Sequence, residues 1–138
     1  MEKNDYVTIG GRLKKVQNVG HCGIVKDVQS GTDSEEKLIS CHIIITKEIL
    51  EACGFKHDSG YFYKLNLIDS QSGRDYTIIA NLEPLVKEYS IIEWTCIHDT
   101  IREKKQIIIL SELQDWIRNK TGLELDIDEH RLVEIVNK

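Results

Sequence analysis

The sequence predicts a single α+β domain: a bent antiparallel sheet, or a small barrel-like sheet, with two or three helices packed on it. Three observations carry that expectation. Short β-branched segments recur at roughly 8 to 12 residues between glycine or polar turns. Two segments of helical periodicity have recognisable start and stop residues. The whole chain is 138 residues, within the ~100 to 200 of one domain, with no internal repeat or linker.

Residues 1–45 are strand-rich. Tyr6 to Ile9, Arg12 to Val19, Gly23 to Val28 and Leu38 to Ile45 read as strands, punctuated by Gly10-Gly11 and Gly20, with a polar loop from Ser30 to Glu36. Residues 46–127 carry helix, antiparallel strands and helix. Thr46 caps a two-turn helix from Lys47 to Cys53 that Gly54 stops, and Ile49, Leu50 and Cys53 should face the sheet because so short a helix is stable only when packed. Tyr61 to Ile68 and Asp75 to Leu82 form a hairpin around the turn-rich Asp69 to Arg74. Leu85 to Tyr89 is a short amphipathic stretch, and Ile91 to Ile97 with Gln106 to Leu110 make a second hairpin around the charged His98 to Lys105. Ser111 and Gln114 form a capping box for a helix bearing Leu113, Trp116 and Ile117 and ending at Gly122. In residues 128–138, Asp128 caps a terminal helix.

Composition narrows the function classes. Eighteen Lys+Arg against 23 Asp+Glu give a net charge of −5, so no global positive field draws nucleic acid or anionic lipid, and no nucleic-acid polymer is expected as partner. The start lacks an apolar signal segment, and runs such as Ile43-Ile44-Ile45 are far short of the ~18 residues of a membrane span. A cytoplasmic protein without membrane contact is expected.

The four cysteines contain no C-x-x-C pair, which favours buried thiols over a zinc site. His21-Cys22 and Cys41-His42 hold the ligand types of a Cys2His2 site, but neighbours on a strand point to opposite faces. Cys53 lies at a helix C-terminus, where the dipole disfavours thiolate; Cys96 and His98 share a strand face with no residue placed to orient the histidine. Asp126 and Asp128 could hold a cation, yet a capping role suits Asp128 better. Phosphate-loop, dinucleotide, zincin and hydrolase motifs are absent from the sequence. No catalytic residue, no metal and no cofactor are expected.

One constellation points to a ligand. Tyr61, Tyr63 and Tyr76 on sheet faces, Trp94 on a neighbouring strand, and Arg74 and Arg102 in flanking turns combine rings that stack on bases with guanidinium groups that fork onto phosphate. Beside it stands the plainer alternative, that the tyrosines fill a core face and the arginines are solvated.

Ile45-Thr46-Lys47-Glu48-Ile49-Leu50-Glu51-Ala52-Cys53-Gly54-Phe55, and Leu110-Ser111-Glu112-Leu113-Gln114-Asp115-Trp116 running to Thr121-Gly122-Leu123-Glu124-Leu125, resemble a family of small proteins encoded by phages and prophages of Bacteroidetes. Arg118 and Lys120 stand where that family has apolar residues, and the segment after Ile127 runs past its usual end, so the C-terminal helix should pack differently or against a partner. The resemblance implies a phage or prophage protein at work in a bacterial host cell. Together with the missing catalytic motifs it gives the expected function: a counter-defence protein that binds and sequesters a nucleotide-derived immune signal without altering it. The alternative is an interaction or structural module whose terminal helix and Arg118 address a host or virion protein. Self-association is compatible with either.

Overall fold

In the computed structural model, residues 1–19, 23–38, 42–82 and 92–137 are described. The expected Leu85 to Tyr89 segment, and His21, Cys22 and Cys41 of the mirrored pair, lie outside them. The fold is α+β, and its strands divide into two antiparallel meanders instead of one continuous sheet.

The first sheet runs β1 (Tyr6–Ile9), β2 (Arg12–Val19), β3 (Gly23–Asp27) and β4 (Asp33–Glu36) in chain order. The first three match the expected strands; β4 is a correction, because the polar stretch expected as a loop pairs with β3, while the expected strand from Leu38 to Ile45 is, over residues 42–45, only an isolated bridge at Ile44. An edge strand with one open side needs no apolar alternation, and Asp33-Ser34-Glu35-Glu36 has none. Asp27 fixes the turn between them. Its carboxylate accepts from Arg12 Nε at 2.5 Å, Lys14 Nζ at 3.0 Å and the backbone N–H groups of Gln29 and Ser30. Those donors, Arg12 foremost, hold its pKa far below the ordinary carboxylate range.

Helix α1 (Lys47–Ala52) is capped by Thr46, whose hydroxyl accepts from the Ile49 N–H, and it ends where Gly54 takes φ 88°. The second sheet follows as β5 (Lys56–Ser59), β6 (Phe62–Ile68), β7 (Asp75–Asn81), β8 (Glu93–His98) and β9 (Ile101–Gln106). Here the sequence reading of the second hairpin is corrected. The charged segment expected as its loop is strand β9, and the turn is the two residues Asp99-Thr100, with Asp99 in the left-handed region at φ 53°. Residues 107–109, expected as strand, instead lie against 43–45 through Ile45 N–H to Ile108 O and Leu110 N–H to Ile43 O.

That pairing explains why no capping box forms on α2 (Leu110–Thr121). The helix starts earlier than expected, at its N-cap Ile109, without a side-chain cap, and a backbone carbonyl satisfies its first N–H. Gln114 is released for another task. Buried in α2, it accepts from the Tyr6 N–H at 2.9 Å and donates to the Asn4 carbonyl at 3.0 Å, pinning the first strand to the helix. Gln114→Leu should cost about 1–3 kcal/mol in urea unfolding, since it strands two backbone groups; an unchanged midpoint would refute that role.

Gly122, at φ 72°, stops α2 as expected, and Asp128 caps α3 (Glu129–Val136) by accepting from the Arg131 N–H. Helix α3 packs in cis. Leu132 is fully buried, Arg131 pairs with Glu51 of α1 at 2.6 Å, and Glu129 accepts from the Tyr6 hydroxyl. One core cluster joins the two sheets and three helices through Tyr6, Leu13, Leu50, Trp94, Leu113, Ile117 and Leu132.

Register sorts the second sheet into two faces. Tyr63, Tyr76, Ile78, Ala80, Trp94 and Cys96 belong to the helix-covered core, while the opposite face carries Phe62, Lys64, Asn66, Thr77, Ile79, Thr95, Ile97, Arg102 and Lys104.

Candidate functional site

The ligand constellation expected from sequence is not one site. Trp94 is fully buried on β8, its indole N–H donating to the Ile107 carbonyl at 2.9 Å and its ring edge-on to Phe55 at 5.4 Å. Tyr63 is also buried, against His57. Neither ring offers a face to a ligand, which corrects their assignment; the plainer core reading fits them. Tyr61 sits in the β5–β6 turn, at the end of β6 opposite Asp75 and Arg74, and Arg102 lies on the outer sheet face.

Arg74 and Tyr76 do come together, although Tyr76 is as deeply buried as Tyr63 and lines the site from the core side. They line a cleft of about 140 Å³ at the β8–β9 turn end of the second sheet, with Cys96, His98, Ile101, Glu103 and Lys120. Sheet alternation builds it: Tyr76, Cys96, His98, Ile101 and Glu103 share the inner face, and α2 brings Lys120 across from above. Tyr76 and His98 meet edge to face with centroids 4.9 Å apart. His98 Nδ1 is buried and 3.3 Å from Asp99 Oδ2, yet makes no hydrogen bond. Lys120 is ion-paired with Glu103, whereas the Arg74 guanidinium forms no close ion pair among the described residues, although its charge helps to lower the pKa of Asp69.

Beyond the Lys120–Glu103 pair, a more open groove of about 610 Å³ runs between β9 and α2 past Trp116. It sets three lysines (104, 105 and 120) against Glu2, Glu103, Glu112 and Asp115. The groove is therefore net acidic, and the cleft, with Arg74 and Lys120 against Glu103, is net basic. The Asp99 carboxylate, 3.3 Å from His98, lies beside the cleft as well.

The two described thiols are poor nucleophiles: burial pushes Cys53 up to about 12 and raises Cys96 as well. Among the described residues no cluster of histidine, cysteine and carboxylate side chains could hold a metal ion, and no helix is long and apolar enough to cross a membrane. Sequence reasoning missed Lys120 and Glu103 as cleft residues. The one trace was Lys120 breaking an apolar pattern; the approach of α2 to β9 has no local signal.

Arg118, expected to address a partner, is instead an internal clamp. Its Nη1 donates to Asp5 at 2.6 Å and Asp115 at 2.8 Å, and its Nε to Glu124 at 2.7 Å. With α3 packed in cis as well, both features that supported an interaction module are used inside the fold.

None of the family models, curated proteins or solved structures compared with the chain matches it.

Proposed function

We propose that this protein is a non-catalytic binder of a small phosphate-bearing ligand, held by its phosphate in the Arg74 cleft. The observation that carries this reading is Arg74: an exposed guanidinium outside the ion pairs of the described residues, beside Lys120 in a cleft lined by the buried Tyr76 and the half-buried His98. About 140 Å³ suits one phosphate group; the rest of a nucleotide would extend past the Lys120–Glu103 pair toward the Trp116 groove. The raised thiol pKa values and the absence of catalytic motifs support holding over conversion. The resemblance to phage and prophage proteins supports the narrower reading, sequestration of a nucleotide-derived immune signal as counter-defence in the bacterial cytoplasm.

Thermal shift with cyclic dinucleotides and cyclic ADP-ribose isomers tests it. A ligand at 100 times its Kd adds ~2.7 kcal/mol, a rise of about 8 °C in Tm for a chain of this length. Arg74→Ala and Lys120→Ala should abolish the rise while leaving the unliganded Tm within about 1 °C, as exposed positions do. A panel without any shift rejects the reading, as does a shift that survives Arg74→Ala.

A further inference from the structure

We propose that the outer face of the five-stranded sheet is a docking surface for single-stranded nucleic acid, separate from the Arg74 cleft on the inner face. The net charge of −5 hides a local reversal. Cross-strand register puts Lys56, Lys64, Arg102 and Lys104 on this face against Asp75 and Glu93, with Asp58 at the bulge of β5. Glu93 answers only Lys104, at 3.5 Å. Lys56, Lys64 and Arg102 have no ion-pair partner among the described residues, in a chain where carboxylates outnumber cations 23 to 18.

Lys56 and Lys64 are moreover direct cross-strand partners. Like charges so placed destabilise a sheet, and a phosphate between them removes that repulsion. The other groups on the face suit a nucleotide chain. Phe62, 42% exposed, stands on this face at the β5–β6 end, where a base can stack on its ring. Thr77 donates to Asn66 Oδ1 at 3.2 Å, which leaves the Asn66 amide N–H groups for a base edge or sugar. The strands span about 19 Å from β5 to β9, a platform that tracks a backbone from ring to cation. An open sheet face bearing a ring and cations can stack on unpaired bases and cannot reach the bases inside a duplex, so the occupant is single-stranded.

The experiment is fluorescence anisotropy of the full chain with labelled oligo-dT and oligo-U of about 12 nucleotides, in low salt and across a salt series, beside duplex DNA and heparin as competitors. Saturable binding is expected, weakened several-fold by Lys64→Glu or Arg102→Glu singly and more than about tenfold together. The slope of log K against log salt should shrink by about 0.7 for each phosphate that a variant no longer neutralises. Phe62→Ala should weaken binding by about tenfold without changing that slope. Arg74→Ala should leave oligonucleotide affinity intact, which separates this surface from the cleft whatever the fate of the cleft reading. Circular dichroism checks that each exposed variant folds. No binding overturns the proposal; so does equal affinity for duplex, insensitivity to the paired charge reversals, or heparin displacement combined with indifference to Phe62→Ala, the mark of a plain polyanion surface.

Discussion

Trp94→Ala is expected to lower unfolding free energy by about 3–5 kcal/mol, a large part of the ~5–15 kcal/mol that holds a domain of this kind together. Trp94 stands between Ala80 of β7 and Lys105 of β9, has no exposed surface, and is the largest of the fully buried side chains. Two effects combine. The emptied volume strips van der Waals attraction from Phe55, which meets the indole at 75°. The Ile107 carbonyl is also deprived of the N–H that satisfies it, just where the chain leaves β9 for the segment that starts α2. Trp94→Phe separates the two, keeping an aromatic ring and removing the donor, and should cost about 1–3 kcal/mol. Urea unfolding followed by circular dichroism reads both. A cost below about 1 kcal/mol for the alanine variant would mean that the sheet–helix core can close over the gap.

Arg118→Met should be comparably damaging, and pH-dependent in a specific direction. The Arg118 side chain is 14% exposed and the Asp5 side chain fully buried beneath it, with Asp115, Glu124 and, at 3.3 Å, Glu2 around the same guanidinium. Burial, then the neighbouring Asp115 carboxyl, pushes Asp5 up from 3.8 to about 7, against the opposing pull of the Glu2 N–H and Arg118. A carboxylate raised on folding keeps a proton that the unfolded chain has released. Between its ordinary value of 3.8 and about 7 the wild-type protein therefore loses stability as pH rises, and this dependence levels off above about 7. Removing the cation leaves Asp5 with only the Glu2 N–H, so its pKa climbs further and the decline continues to higher pH. The expected cost of Arg118→Met is about 3–5 kcal/mol near pH 8, where Asp5 must either take up a proton or stay buried as an unpaired charge, and much less near pH 5 where Asp5 is neutral in both proteins. Adding Asp5→Asn should recover much of the stability at pH 8. A cost independent of pH would show that Arg118 serves through its aliphatic stem alone.

The elements legible in the sequence are those whose signals are local. Thr46 and Gly54 bracket α1, Gly122 ends α2 and Asp128 opens α3, because a cap or a left-handed stop is a property of a few consecutive residues. β6 and β7 announce themselves by apolar alternation, β1 and β2 by β-branched content around the Gly10-Gly11 turn. Strands β4, β5 and β9 were hidden because they are edge strands with polar or charged sequences, paired on one side only, so their pairing partners and not their own side chains decide their state. The capping box failed for a related reason: residues 43–45 reach the start of α2 from far along the chain and satisfy its donor first.

The candidate site divides along the same line. Sequence alone determined the α+β class, the helix boundaries that caps enforce and an aromatic and basic population in the second half of the chain. Only the tertiary structure decided which of those residues meet. Period-two alternation tells which residues share a face, but which face the helices cover depends on long-range packing; that choice buries Trp94 and Tyr63, leaves Arg74 and Tyr76 at a cleft, and turns Phe62, Lys64 and Arg102 to the opposite side.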